Sequence, residues 1–203
     1  MIISHRKRFI FIHIYKVAGT SVRDAFSPYA DITFRKYTLR RLLYVMRLAK
    51  APEEHITTLE LSARLPSSIF DSYFKFAFVR NPWDWQVSLY HYILSHPLHP
   101  QHRKIKALGS FRSYINWRIK SGVELQKSFV CDKDGRLLVD FVGRYETIAE
   151  DFEVICDRIG ISASLPHKNP SNHRPYRNYY DAELARMVAE HYREDIEYFN
   201  YKY

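Results

Sequence analysis

The chain has 203 residues, 46% hydrophobic and 26% charged, ordinary proportions for a globular chain with a sizeable core. No apolar run approaches the roughly 20 residues of a membrane span, so a transmembrane helix is not expected. The formal charge of +9, from 31 Lys+Arg against 22 Asp+Glu, favours a polyanionic partner. Nucleic acid, an acidic glycan and a multiply charged nucleotide donor all satisfy it.

The opening MIISHRKRFIFIHIYK sets a basic patch before an apolar stretch, which is the layout of a signal peptide. The stretch is too short for one, lacks an A-x-A-like cleavage site and leads straight into a loop, so it reads as the first core strand. In FIFIHIYKVAGTSVRDAF, residues 9–26, that strand covers Phe9 to Ile14 and stops at Tyr15 and Lys16. The small residues Ala18-Gly19-Thr20-Ser21 turn the chain, and Val22, Ala25 and Phe26 then recur at helical spacing. A strand, a lysine-bearing loop and a helix opening on hydroxyls raise the question of which anion the loop holds.

Leu39, Leu42, Leu43 and Met46 predict a basic amphipathic helix within 37–55. DSYFKFAFVRNPWDWQVSLYHYIL repeats the opening design: a strand over Tyr73–Val79, Arg80 at its end, and a helix started by Asn81-Pro82 and continued by Val87, Tyr90 and Leu94. Residues 95–125 read as a polar, basic, irregular cover or acceptor-binding insertion. QKSFVCDKDGRLLVDFVGRYE follows as a hairpin turning at Asp134-Gly135. TIAEDFEVICDRIGI is an amphipathic helix stopped at Gly160, and Leu184, Val188, Tyr192, Ile196 and Phe199 stripe a last helix. Between these two helices lies the basic, turn-rich loop PHKNPSNHRPYRNYYD, with His167, Lys168, His173, Arg174 and Arg177. Cys131 and Cys156 have no metal-ligand spacing; nothing demands a disulfide between them, and two buried thiols in a reducing compartment is the preferred of the two readings. Strand–loop–helix units with buried strands give an α/β fold, a single domain over 1–203 with a central, mainly parallel sheet flanked by helices.

In such sheets ligands gather at the carboxyl ends of strands, where helix N-termini offer N–H groups and positive dipole ends. Lys16 and Arg80 both stand at strand ends just before a helix, which suits a ligand with two separate anionic groups. A Walker A loop needs G-x-x-x-x-G-K-[ST]; here the lysine precedes the glycine, as KVAGTS, and no GK[ST] occurs. The plain alternatives are a solvated loop lysine and a helix-start surface arginine.

HIYKVAGTS resembles the 5′-phosphosulfate loop of sulfotransferases that use 3′-phosphoadenosine-5′-phosphosulfate (PAPS), usually HIPKTGGTS. FKFAFVRNPWDWQVSLYHY resembles their 3′-phosphate motif, with Arg80 and Ser88 at the matching positions. DGRLLVDFVGRYETIAEDFEVICDRIGI and NYYDAELARMVAEHYREDIEYFNY resemble further blocks of the carbohydrate (Golgi-type) branch, so the likeness covers most of the chain in order. Tyr15 departs from the usual proline and Val17-Ala18 from Thr-Gly. The resemblance implies a P-loop-like sulfotransferase fold. It makes PAPS the donor and 3′,5′-adenosine bisphosphate (PAP) the product, with a carbohydrate hydroxyl as acceptor and no role for nucleic acid.

Under that resemblance Lys16, Val17, Ala18, Gly19, Thr20 and Ser21 hold the 5′ side of the donor, and Lys16 neutralises charge on the leaving oxygen. Arg80 pairs with the 3′-phosphate and Ser88 adds a hydrogen bond. His55 falls where this branch often has a histidine and is the candidate base, with His13 as the alternative; no metal is invoked. Arg144 reads as structural, and Trp83 and Trp85 as helix packing or as aromatics at the sheet edge that face adenine or sugar. Two other readings stay open: a nucleotide kinase, and a non-catalytic basic module for glycan or nucleic acid. Family members of secretory compartments normally carry a membrane anchor. The expected setting is therefore cytoplasmic, or that of a soluble catalytic domain from an anchored Golgi enzyme.

Overall fold

The computed structural model describes residues 1–33, 55–122, 124–166 and 173–203. The helix expected within 37–55 therefore lies outside the described residues except for His55, as do His167 and Lys168 of the basic loop. Two compact units form, Met1–Val79 with Ser128–Lys168, and Arg80–Lys127 with Asn169–Tyr203.

Among the described residues, the first unit is α/β and carries a sheet of five strands in the order β3-β1-β2-β4-β5. These are β1 (Ile2–Ser4), β2 (Phe9–Ile12), β3 (Ile32–Thr33), β4 (Phe74–Val79) and β5 (Phe141–Arg144). β2, β4 and β5 are parallel neighbours, with Phe11 opposite Phe76 and Phe78 opposite Gly143. β1 runs antiparallel to both β2 and β3, which makes the sheet mixed. β1 was not anticipated: MIIS is short and reads as part of the basic lead-in, and only its pairing with β2 makes it a strand.

Alternation along the strands puts Phe9 and Phe11 beside Phe74, Phe76 and Phe78 on one sheet face. The rings of Phe11 and Phe76 stack at 5.3 Å between centroids. Helix α1 (Gly19–Phe26) and a later helix over Ile148–Ile159 cover this face, and their Phe26 and Phe152 stack at 4.9 Å. Two short helices precede β4, α2 (Thr58–Ser62) and α3 (Ser67–Phe70). Thr57 caps α2 reciprocally with Glu60.

In the second unit, α4 (Pro82–Ser95) starts as expected: Asn81 Oδ1 accepts from the Trp83 N–H at 3.1 Å, with Pro82 in the first turn. Trp83, Trp85, Val87, Leu89 and Ile93 are all buried along it. Residues 95–125 are more regular than expected. They form α5 (His102–Ala107) and α6 (Phe111–Lys120), with Ile105, Phe111, Tyr114 and Ile115 buried. Their apolar positions are too sparse among Lys and Arg for periodicity to show.

Next comes α7 (Lys127–Val130), so the expected hairpin keeps its turn but not its arms. The Asp132 N–H donates to the Arg136 carbonyl, the Arg136 N–H donates to Asp132 Oδ1, and Cys131–Leu137 is an isolated antiparallel bridge. The later strand, β5, joins β4 in parallel instead. Helix α8 (Ile148–Ile159) ends at Gly160, whose φ of 63° gives the left-handed cap. The last stripe is carried by two helices, α9 (Ala182–His191) and α10 (Arg193–Tyr198). Cys131 and Cys156 are buried free thiols. Among the described residues no helix is long and apolar enough to cross a membrane.

Asp195, in α10, is fully buried, and its carboxylate accepts from the backbone N–H groups of Gln126 and Lys127 at 2.9 and 2.8 Å. Desolvation outweighs these bonds and pushes its carboxyl up from 3.8 to about 6. The native state thus holds the proton more tightly than the unfolded chain. The stability this contributes is fully present below about pH 3.8 and is lost as pH rises through about 6. Asp195→Asn should therefore cost most near pH 4 and least above pH 7 in urea unfolding. The difference should be on the order of 3 kcal/mol, from 1.36 kcal/mol per pKa unit. A cost constant across that window would contradict the assignment.

Candidate functional site

The loop after β2 packs tightly against itself. Lys16 and Ala18 take φ of 63° and 60°, a left-handed backbone that side-chain-bearing residues rarely adopt and that costs about 1–3 kcal/mol each. Val17 between them is fully buried and pins the turn. Alternating handedness of this kind turns successive N–H groups toward one concavity, an anion-binding arrangement. Ala18 is also the N-terminal cap residue of α1, and its C=O accepts from Val22 N–H at 3.2 Å. Gly19 and Ser21, in the first turn, are buried, while Lys16 and Thr20 are partly exposed. Lys16, Val17 and Ala18 thus lead from the carboxyl end of β2 into the first turn of α1, Gly19 to Ser21.

Gly19 is required by a neighbour. A Cβ built on it would lie 1.9 Å from Cδ2 and Nε2 of His13, so the imidazole occupies the space a side chain would need. His13 is itself 7% exposed. Burial holds it well below the usual imidazole range, and the N-terminal amine, His55 and Arg23 add repulsion of the charged form. It sits in the fold as a neutral packing group.

His55 lies against this assembly. Its ring centroid is 4.7 Å from that of His13 and 5.7 Å from that of Tyr15. Its Nδ1 is 3.0 Å from the His13 carbonyl oxygen. A carbonyl only accepts, so Nδ1 carries the proton in that bond, and the neutral ring has its lone pair on Nε2. His55 is exposed, in contrast to His13. Lys16 through Ser21, His13 and His55 thus all belong to the first unit and gather at one end of β2.

The second unit holds the other two expected residues. Arg80, the residue after β4, is only 3% exposed. Its Nε donates to Asp84 Oδ2 at 2.7 Å, one helical turn on. Ser88 continues the same stripe at the next turn and is buried at 2% exposure. The arginine is therefore a desolvated, oriented cation and not a helix-start surface residue.

Sequence reasoning missed three residues here. Asp84 was visible in principle, since an acid four residues after Arg80 is helical pairing distance. Asp195 interrupts the apolar stripe between Tyr192 and Phe199, and an acid on a buried face is a signal of a specific partner. Gln126 carries no local signal; its partner Arg80 is 46 residues away.

Two comparisons with known proteins bear on the chain. A profile described as the sulfotransferase family matches residues 1–202. The chain is also similar to an uncharacterized protein of Archaeoglobus fulgidus, 32% identical over 104 residues, which is 50% of this chain and 80% of that protein.

The His13–Gly19 contact makes a prediction about stability. Gly19→Ala should destabilise by about 1–3 kcal/mol, the range for overpacking, in urea unfolding. His13→Ala should remove the clash, so the double variant should cost clearly less than the sum of the singles. Additive costs would show that the two residues do not compete for that space.

Proposed function

We propose that this chain, which belongs to the sulfotransferase family, takes its sulfuryl group from PAPS and passes it to a carbohydrate hydroxyl by in-line displacement. The observation that supports the donor best is the loop geometry at Lys16–Ser21. Its left-handed residues and the start of α1 suit a 5′-phosphosulfate, and its cation suits a leaving oxygen that gains charge. In this reading Lys16 neutralises that oxygen, while Val17, Ala18, Gly19, Thr20 and Ser21 supply backbone N–H and hydroxyl donors. Arg80 and Ser88 take the 3′-phosphate, and the buried, oriented guanidinium of Arg80 supports that role.

His55 is the base in this reading. Its exposure and its Nδ1 contact with the His13 carbonyl favour it over His13, whose imidazole is enclosed against Gly19. The Nε2 lone pair takes the proton of the acceptor hydroxyl as that oxygen attacks sulfur, and the S–O bond to PAP breaks on the opposite side. A carbohydrate acceptor fits the +9 charge when the glycan is itself acidic, and rests otherwise on the resemblance of motifs.

Two variants separate these roles. Lys16→Ala should lower turnover with PAPS far more than it weakens PAP, because its strongest interaction arises only as charge develops on the leaving oxygen. Intact turnover with equally weakened PAP and PAPS binding would make it a simple binding lysine. His55→Ala should leave PAP affinity unchanged and lower turnover roughly 10²–10⁴-fold, the range for losing a general base. Near-normal turnover would remove His55 from the chemistry.

A further inference from the structure

We infer that Gln126, itself held by Asp195, is a positioning residue for Arg80: it fixes the main chain from which the guanidinium reaches the donor's 3′-phosphate. The inference rests on the donor reading above, and its geometry lies wholly within the second unit. Gln126 is fully buried. Its Oε1 accepts from the Arg80 N–H at 2.8 Å, and its Nε2 donates to the Arg80 carbonyl at 2.8 Å. One side chain thus closes on both polar groups of one residue. Only this orientation of the amide satisfies both, so the oxygen and nitrogen positions are fixed by the network.

The backbone of Gln126 is anchored in turn. Asp195 Oδ2 accepts from its N–H at 2.9 Å, and Oδ1 accepts from the next N–H, that of Lys127, at 2.8 Å. Lys127 Nζ bonds Glu194 at 3.0 Å, so the pairing extends over two consecutive residues of α10. The groups facing the Asp195 carboxylate are therefore two backbone N–H donors, with Lys127 and Glu194 as the nearby charges.

The clamp is not needed to start α4. Asn81 already caps that helix, Pro82 occupies its first turn, and Asn81 Nδ2 ties to the Lys202 carbonyl at 2.9 Å. What Gln126 adds is control of the residue before the cap. Asp84 fixes the far end of Arg80 through Nε at 2.7 Å. Main chain and guanidinium are thus held from separate segments, which is the rigidity a site needs to tell a 3′-phosphate from its absence.

The test uses Gln126→Met, which keeps length and apolar packing and removes both hydrogen bonds. In the ligand-free chain the Arg80 amide should exchange hydrogen at least about 10-fold faster than in wild type, relative to the Trp85 amide. The affinity ratio of PAP over 5′-AMP should fall about 10-fold, with 5′-AMP affinity within about twofold of wild type. Gln126→Glu, which retains the acceptor for the Arg80 N–H, should be intermediate in both. Asp195→Asn, which turns an amide toward the Gln126–Lys127 N–H groups, should lower the same ratio.

Unchanged exchange at Arg80 in Gln126→Met overturns the clamp. Equal weakening of PAP and 5′-AMP overturns the positioning role, since it would be general structural damage. A wild-type chain that binds the two nucleotides equally overturns the 3′-phosphate reading itself, while the exchange rates still decide the clamp.

Discussion

Burying a guanidinium is costly, and much of the second unit is arranged around that cost. An ion taken out of water loses several kcal/mol even after relaxation, and its Coulomb partner returns this only with close geometry and further hydrogen bonds. Arg80 has that geometry with Asp84, and its main chain has the Gln126 amide. The amide in turn depends on a buried Asp195 whose own burial is unfavourable when charged. A core built for stability alone would place apolar groups at these positions. Three polar side chains that orient one cation fit the proposal that Arg80 receives an anionic group.

The loop of the first unit is organised by its backbone instead. The sheet ends at Ile12, and the chain must turn into α1 within six residues. Two left-handed, non-glycine residues make that turn, and the enclosed ring of His13 limits how α1 can begin. The His13 carbonyl then sets the tautomer of His55. One histidine is packed and neutral; the other is exposed, with its Nδ1 committed to a carbonyl. Proximity joins them, and environment separates their chemistry.

Much of this was legible in the chain. The strand at Phe74–Val79 and the Asn81-Pro82 start of α4 are local, strongly patterned features, and they form within a residue of their expected bounds. The left-handed turn was not legible, because Ala18 stands where the related loop has glycine and the sequence hides the φ. β1 was hidden by its length, since three residues make a strand only by pairing. α5 and α6 were hidden by the basic residues around their few buried positions. Gln126 and Asp195 lie 46 and 115 residues after Arg80, and no periodicity reports a contact at that separation.

The most direct measurement is calorimetric titration of PAP, 5′-AMP and ATP into the wild-type chain and Arg80→Ala. PAP should bind the wild type more tightly than either other nucleotide. Arg80→Ala should lose PAP affinity by on the order of 2–3 kcal/mol, the upper range for a hydrogen bond to a charged group. Its 5′-AMP affinity should be unchanged. Equal affinities for PAP and 5′-AMP, or a variant that binds PAP as the wild type does, would contradict it.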